Sequence, residues 1–234
     1  MLRKVKSFFL RLKEQKQCKE QKTPSYPRTN ICKICFENIE DSSLHSLLSD
    51  NTCICHKCFN KFQPKFHKFK VDGYKALALF DYDDEVKEKL YQFKGCFDYE
   101  LGQVFLNYFL PYLKLKYLGY YLVPAPSHFS HDKARGFNHV EVIFSSLKMK
   151  MIKCIHKTSD VKQSDLNAKE RQNIHKHLII ENGEQIRDKK ILIVDDVFTT
   201  GSTIKSMIKL IEKYKPKKIQ ILLLSKTINP RERN

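Results

Sequence analysis

The chain has 234 residues, of which 41% are hydrophobic and 12% are aromatic. This length predicts one main domain of about 150 residues with a smaller addition, and the low content of Gly (7) and Pro (8) excludes a collagen-like or linker protein. No apolar run approaches the ~20 residues that cross a bilayer, and we expect no secretory leader. We therefore expect a cytoplasmic protein without a transmembrane segment.

The excess of 43 Lys and Arg over 26 Asp and Glu gives a net charge of +17, which favours a polyanionic partner. A lysine-rich composition alone would produce the same excess. The excess is densest at the start, where residues 1–22 have the apolar spacing of a basic amphipathic helix. Such a segment binds an anionic membrane surface or nucleic acid, packs on its own domain or a partner, or stays disordered. Two prolines within residues 23–27 then predict a linker, so that residues 1–30 form one unit.

Two Cys-x-x-Cys pairs separated by 19 residues follow this linker, and they comprise Cys32, Cys35, Cys55 and Cys58. Four thiolates at this spacing bind one tetrahedral zinc ion and leave no coordination position open, so we predict a structural Zn²⁺ site. Cys53 and His56 are competing ligands, but they lack the spacing of a pair. A redox-active pair is the alternative function. We assign the zinc module to residues 31–72.

From residue 74 onward, apolar runs of strand length alternate with segments of helical periodicity. We predict strands at 74–82, 120–123, 190–194 and 217–224, and helices at 84–93, 97–113, 137–151 and 202–214. The alternation predicts an α/β domain over residues 73–234, with a parallel sheet, helices on both faces and a ligand site at the carboxyl ends of the strands. The polar residues between 157 and 190 are predicted to form an inserted flap.

A buried strand, two acids and a hydroxyl-rich turn follow one another between residues 191 and 203. The start of the next helix would present unpaired N–H groups and positive dipole charge, which together with the hydroxyls can hold a phosphate. The two carboxylates suit the vicinal hydroxyls of a sugar, or Mg²⁺ held through water. Capping of the helix alone would explain only one acid and one hydroxyl. The predicted sugar-phosphate site contains Asp195, Asp196, Thr199, Thr200, Gly201, Ser202 and Thr203.

A second polar block follows the strand at 120–123 and includes Lys133 and Arg135. These two side chains can pair with pyrophosphate oxygens or with a nucleic-acid backbone. They can equally be solvated surface charges.

The segment from Val194 to Thr203 resembles the ribose 5-phosphate loop of type I phosphoribosyltransferases, which bind phosphoribosyl pyrophosphate with Mg²⁺. The blocks Val123-Pro-Ala-Pro126 and Arg135-Gly-Phe-Asn138, with the four-Cys module, extend this to a resemblance to the ComF family of competence proteins beyond about residue 30. A later series in that family is matched here by Gln163, Leu166, Arg171 and Asn173. Lys157 stands where the family has an Arg, and a lysine cannot make the same bidentate anion contact.

The resemblance implies a protein of natural transformation that binds phosphoribosyl pyrophosphate and handles incoming single-stranded DNA on the cytoplasmic side of the inner membrane. It also implies that Arg171, like Lys133 and Arg135, contacts pyrophosphate or the DNA backbone. Other DNA-uptake proteins and the membrane periphery are expected contacts. The alternative is a Mg²⁺-dependent phosphoribosyltransferase that transfers the phosphoribosyl group to an unknown acceptor and releases pyrophosphate. No catalytic base is predicted.

Overall fold

The computed structural model of the chain describes residues 31–39, 52–127, 129–157 and 178–228. The predicted amphipathic helix at 1–22, most of the predicted flap and Arg171 lie outside the described residues. None of the described helices is long and apolar enough to cross a bilayer.

The strands are β1 His67–Val71, β2 Tyr74–Asp81, β3 Tyr120–Pro124, β4 Ile155–Lys157, β5 Leu178–Ile180, β6 Lys190–Phe198 and β7 Lys218–Lys226. Five of them form a sheet in the order β1-β2-β7-β6-β3. Strands β2, β7, β6 and β3 run parallel to one another, whereas the edge strand β1 is antiparallel to β2. β4 and β5 form a separate antiparallel pair. The predicted parallel sheet is therefore confirmed, with one antiparallel edge strand added.

The α-helices are α1 His56–Lys61, α2 Asp84–Gly95, α3 Leu110–Lys116, α4 Phe129–Arg135, α5 His139–Ser145 and α6 Ser202–Glu212. Short 3₁₀ helices span Tyr99–Gln103, Asn107–Phe109 and Gly183–Ile186. Hydrogen bonds with capping side chains define where two of these helices begin. The Asp83 carboxylate accepts the Val86 N–H at 3.0 Å to begin α2, and the Asn138 carbonyl oxygen accepts the Glu141 N–H at 3.1 Å to begin α5.

The two faces of the sheet carry separate hydrophobic cores, as alternating side chains of a strand require. On one face, Leu77 and Leu192 pack with α2, α5, the aromatic segment near residue 105 and the cysteine-containing segment. On the other face, Ala78 and Ile193 pack with the apolar side of α6. Helices thus cover both faces, which is the arrangement that the strand and helix alternation predicts. The cysteine-containing segment shares the first core, and the division into domains at residue 72 stays a prediction.

The predicted helix at 97–113 is wrong, since two 3₁₀ turns and the short α3 occupy this segment. Pro111 lies in the first turn of α3, where its missing N–H is not needed and its fixed φ suits the start of a helix. Gly102 faces Val142, whose Cγ1 would lie 2.6 Å from a Cβ at that position. Close packing against its neighbours, and not helical periodicity, therefore determines this segment.

Two other predicted boundaries are also wrong. The helix predicted at 137–151 is only α5, because Lys148 adopts a positive φ of 54° that a helix does not tolerate. The strand predicted to end at residue 194 continues to Phe198, because β6 keeps its pairing with β7 as far as Lys226. Consequently, the two acids after Val194 belong to a strand end and not to a loop.

Candidate functional site

The loop between β6 and α6 lies at the carboxyl end of the parallel sheet, where the fold places ligand sites. Gly201 immediately precedes α6 and has a φ of +72°. A Cβ at this position would lie 2.5 Å from the Phe198 ring, so a side chain larger than hydrogen does not fit. The glycine thus lets the chain turn tightly from the strand into the helix.

Hydroxyl groups surround the start of α6. Thr200 Oγ1 accepts the Ser202 N–H at 3.4 Å and donates to Ser202 Oγ at 3.3 Å. Thr199, Thr200 and Ser202 are exposed, and Thr203 is half-buried. The first turn of this eleven-residue helix contains no acid, so its positive end is not neutralised locally. The loop can therefore offer hydroxyl and backbone donors to an anion.

Asp196 is the centre of a buried ionic cluster. Its side chain is 11% exposed and forms an ion pair with Lys94, from the last turn of α2. Its Oδ2 also lies 3.3 Å from His139 Nε2, at the start of α5. Burial by itself raises the pKa of Asp196, but the hydrogen bond from His139 and the Lys94 ammonium outweigh it and hold this pKa well below its usual range. Asp196 is therefore ionised.

His139 connects this cluster to Arg135. Arg135 Nη1 lies 3.0 Å from His139 Nδ1, and a guanidinium can only donate, so Nδ1 accepts. In this arrangement the imidazole carries its proton on Nε2 and donates it to Asp196. Arg135 Nε also donates to the Lys94 carbonyl oxygen at 3.1 Å. Strand β6 and helices α2, α4 and α5 are thus joined at one point.

Asp195 differs from its neighbour because no cation pairs with it among the described residues. Its Oδ1 accepts the Asp196 N–H at 2.9 Å. Burial raises the pKa of Asp195 well above its usual value, and the adjacent Asp196 carboxylate raises it further. Two adjacent acids whose pKa values are shifted in opposite directions therefore precede the loop between β6 and α6.

The predicted polar block after β3 is placed partly near this cluster. Arg135 is mostly buried, with a side chain that is 9% exposed and 3.5 Å from Asp132 Oδ1. Lys133 is exposed and forms no ion pair within the described ranges. Asn138 donates to Asp132 Oδ2 at 3.2 Å, which holds the Arg-Gly-Phe-Asn block together. The geometry therefore places Arg135 in an internal network and leaves Lys133 on the surface.

The four predicted zinc ligands come together. The sulfur atoms of Cys32, Cys35, Cys55 and Cys58 all lie within 4.8 Å of one another, and Cys35 Sγ and Cys55 Sγ are 3.8 Å apart. Zinc–sulfur bonds of about 2.3 Å in tetrahedral geometry place the sulfurs about 3.8 Å apart. The cluster therefore has the dimensions of a metal site, and its four members could hold a metal ion.

Cys53 stays outside this cluster. It is buried and is not one of the four residues whose sulfur atoms lie within 4.8 Å of one another. The segment is anchored to the domain by Phe62, which is 1% exposed and packs against Phe80 and Phe105 at ring distances of 5.6 and 6.1 Å.

An open cavity of about 750 Å³ lies between α2 and α4, beside the ionic cluster. The half-exposed rings of Tyr91 and Phe97 line it, and Lys94 and Arg135 form its border nearest Asp196. Its walls are mostly apolar, with charged groups of both signs that include Asp84, Glu88 and Lys87. The cavity suits a planar, partly apolar molecule.

Lys94 and His139 are the site residues that sequence reasoning missed. Lys94 is 102 residues from Asp196 in the chain, and no local pattern marks it among the lysines of α2. His139 directly follows the Arg-Gly-Phe-Asn block, and that position was the available signal.

Residues 138–233 match the family described as phosphoribosyl transferase domain. The chain is also 28% identical over 218 residues to the competence protein ComFC of Streptococcus pneumoniae, and this alignment covers 82% of the chain and 98% of that protein.

Among solved structures, the chain is similar to a hypoxanthine phosphoribosyltransferase from Staphylococcus aureus, with 17% identity and a TM-score of 0.35. The alignment covers 56% of this chain and 65% of that enzyme, which is less than two thirds of its length. A hypoxanthine-guanine phosphoribosyltransferase from Bacillus anthracis gives 15% identity and a TM-score of 0.36, with coverage of 58% and 74%.

The domain match falls on the half of the chain that contains β6, its acids and the loop before α6. The similarity to ComFC extends further and covers most of the chain. Together these findings are consistent with the predicted resemblance: the chain is similar to a competence protein over most of its length and contains a segment that matches the phosphoribosyl transferase domain family.

Proposed function

We propose that this competence-related protein binds phosphoribosyl pyrophosphate with Mg²⁺ at the loop between β6 and α6. One observation carries the proposal: a single strand-loop-helix segment holds two carboxylates, exposed hydroxyls and a helix N-terminus without an acid in its first turn. A sugar phosphate needs acceptors for its hydroxyls and donors for its phosphate. The segment offers both within nine residues, from 195 to 203.

In this proposal the 5-phosphate takes the N–H groups and hydroxyls of Thr199, Thr200, Ser202 and Thr203, and Gly201 lets the backbone approach it. Asp195 and Asp196 accept hydrogen bonds from the ribose hydroxyls. Mg²⁺ prefers carboxylate and phosphate oxygens and keeps several waters, so these acids and the ligand suit it, and when bound it would offset pyrophosphate charge.

Lys94 links ligand binding to the protein framework. Its ammonium pairs with Asp196, so a ribose hydroxyl that takes this carboxylate would displace part of the ion pair. Lys94 would then lie beside a ligand with several negative charges. The contact that Lys94 loses with Asp196 would be replaced by a contact with this ligand. Arg135 and His139 hold the other side of Asp196 in place.

We further propose that the cysteine cluster holds Zn²⁺ and that the role of this ion is structural. Four thiolates leave no coordination position for a substrate. The described part of this segment contains few core residues of its own, such as Ile54 and Phe62. A bound metal would therefore supply much of the free energy that orders the segment against the sheet domain.

We propose that this binding site serves the handling of incoming single-stranded DNA. The net charge of +17 and the similarity to ComFC support this role. Phosphoribosyl pyrophosphate would then act as a bound regulator or as a substrate. Contact with the membrane periphery and with other uptake proteins belongs to the same proposal.

Phosphoribosyl transfer with release of pyrophosphate is the second candidate function, and the cavity between α2 and α4 favours it. The cavity reaches Lys94, which contacts Asp196, so a planar acceptor there would lie near the proposed ribose site. No described side chain has the position of a clear general base. Positioning and electrostatic stabilisation would therefore carry the reaction.

Titration calorimetry with phosphoribosyl pyrophosphate and Mg²⁺ tests the binding proposal. We expect the wild type to bind at millimolar ligand or below. A hydrogen bond to a charged group contributes about 1.5–3 kcal/mol, so Asp195→Asn with Asp196→Asn should weaken binding by about 10-fold or more. Asp188→Asn is the matched control, because this exposed acid precedes the other end of β6. Equal affinity in all three proteins would contradict the proposal.

A pyrophosphate-release assay with a panel of bases and amines separates the two candidate functions. Turnover that depends on one acceptor would establish the transferase. Binding without turnover for every acceptor would favour the DNA-handling role.

A further inference from the structure

Six lysines lie on one face of the sheet, toward the amino ends of its parallel strands: Lys68, Lys70, Lys75, Lys116, Lys190 and Lys218. We call this surface the lysine face. The strand register brings four of them into two facing pairs, since Lys70 pairs with Lys75 and Lys190 pairs with Lys218. Lys116, at the end of α3, lines the same groove as Lys68, Lys70 and Lys75.

Two pairs in this set place like charges directly opposite each other, Lys70 with Lys75 and Lys190 with Lys218. Facing like charges destabilise a sheet. None of the six lysines forms an ion pair with a carboxylate in the described ranges. Of the exposed acids at this end of the molecule, Glu184 contacts Arg187 and Glu212 accepts the Tyr74 hydroxyl, both at 2.7 Å. The other two, Asp72 and Asp188, are exposed and form no ion pair within the described ranges. No described carboxylate therefore lies within ion-pair distance of the facing lysines.

Protection of a sheet edge explains only part of this arrangement. Lysines on an edge strand discourage pairing with other chains, and Lys68 and Lys70 lie on the edge strand β1. Lys190 and Lys218, however, lie on β6 and β7, which have neighbours on both sides. Their pairing needs another explanation, and an external anion supplies one.

The lysine face also contains a groove and aromatic rings. The groove has a volume of about 430 Å³ and is lined by Lys68, Lys70, Lys75, Lys116 and Tyr117, among other residues. The Lys116 ammonium lies 5.4 Å from the centroid of the Tyr112 ring, and Tyr112 is 44% exposed. Cations that line a groove beside an accessible ring match a phosphate backbone with unpaired bases.

We propose that the lysine face binds the backbone of single-stranded nucleic acid. The exposed Tyr112 ring favours a single strand over a duplex, whose bases are already stacked and paired. This inference rests on the proposed role in DNA handling, and it moves the contact surface away from residues 1–22, Lys133 and Arg135. The ligand class is a polyanion with flat bases, and no sequence preference is expected.

The lysine face and the phosphate loop lie at opposite ends of the sheet. β7 runs from Lys218 to Lys226, and a rise of about 3.3 Å per residue separates its ends by about 26 Å. Single-stranded DNA and phosphoribosyl pyrophosphate should therefore bind together without competition. An experiment can therefore reject DNA binding at the lysine face without rejecting phosphoribosyl pyrophosphate binding at the loop, and the reverse.

Fluorescence anisotropy with a labelled oligothymidylate tests the inference on the full chain. The test variant carries Lys70→Gln, Lys75→Gln, Lys190→Gln and Lys218→Gln. The control carries four substitutions with the same charge change, at exposed lysines elsewhere: Lys57→Gln, Lys87→Gln, Lys205→Gln and Lys209→Gln. Circular dichroism melts confirm folding, and relief of the two like-charge pairs should leave the melting temperature of the test variant unchanged or higher.

We expect the test variant to bind at least 10-fold more weakly than the control at low salt. Each lost phosphate contact should reduce the slope of log K against log salt by about 0.7, so four contacts would reduce it by about 2.8. Phosphoribosyl pyrophosphate binding should be unchanged in the test variant. A duplex of the same length should bind more weakly than the single strand.

Three outcomes would overturn the inference. Equal losses in test and control variants would mean that net charge alone matters, while DNA handling itself would survive. Absence of oligonucleotide binding by the wild type at low salt would reject both the lysine face and the DNA-handling role. A test variant that loses binding to vesicles of anionic phospholipid but keeps the oligonucleotide would assign this surface to a membrane.

Discussion

Replacing Lys94 by Met removes the ammonium that pairs with Asp196 while it keeps an unbranched apolar side chain in place. The pair is largely buried, since the side chains of Lys94 and Asp196 are 28% and 11% exposed. Removal of one partner from a buried pair typically costs about 3–5 kcal/mol, because the other charge is left without compensation. His139 still contacts Asp196 at 3.3 Å, so we expect the lower end, about 3 kcal/mol.

This loss is large enough for equilibrium and thermal measurements. For a protein of this size, 1 kcal/mol shifts the melting temperature by about 2–4 °C, so Lys94→Met should melt about 6–12 °C below the wild type. Urea unfolding at pH 7 gives the free energy directly. Lys87→Met is the matched control, because Lys87 is an exposed lysine on the same helix and has no ion pair within the described ranges. Its effect should stay within about 0.5 kcal/mol.

The pH dependence identifies the cause. In the wild type the pKa of Asp196 is lowered, so its contribution to stability is present above the unfolded value near 3.9 and is lost as the pH falls toward the folded value. Without Lys94 this pKa rises, and the folded variant binds a proton at a higher pH. The stability gap between wild type and Lys94→Met should therefore be constant near neutral pH and should narrow only in acid, below the unfolded value near 3.9. No gap at pH 7, or a gap that does not narrow in acid, would refute this reasoning.

Two further substitutions test the cysteine cluster and the loop. Cys55→Ser should lose the bound zinc, measured by metal analysis, whereas Cys53→Ser should keep it, because Cys53 lies outside the cluster. The opposite pattern would reject the ligand assignment. Gly201→Ala should cost about 1–3 kcal/mol in urea unfolding and weaken phosphoribosyl pyrophosphate binding, because its Cβ meets the Phe198 ring at a positive φ. Gly119→Ala has the same φ strain with nothing within 4 Å, so an equal loss there would mean that the Phe198 contact is unimportant.

Local sequence patterns predicted the segment that carries the proposed phosphate loop. The apolar run of β6 and the amphipathic face of α6 are both formed within about ten residues, so periodicity alone reports them. The cysteine cluster was predictable for a related reason, since the spacing within each pair already places two sulfurs near one ion. In both cases, residues that are close together in the sequence supply the groups from which the site is predicted.

Contacts between distant elements were not predictable from single-sequence patterns. The Lys94–Asp196 pair depends on how α2 packs against the sheet, and neither residue carries a local mark of the other. The segment at 97–113 has helical periodicity, yet the packing of Gly102 against Val142 and Phe93 imposes short 3₁₀ turns. Tertiary packing also paired Lys190 with Lys218, since they lie in strands separated by a whole helix.

Amide chemical shifts of the ¹⁵N-labelled protein, followed while phosphoribosyl pyrophosphate and Mg²⁺ are added, test the central claim most directly. Backbone N–H groups that receive the 5-phosphate should show the largest changes, and we predict these for residues 195–203 at the carboxyl end of β6. The amides of β1 and the start of β7, at the other end of the sheet, should not change. Saturable shifts confined to that other end, or no shifts at millimolar ligand, would contradict the assignment of the phosphoribosyl site.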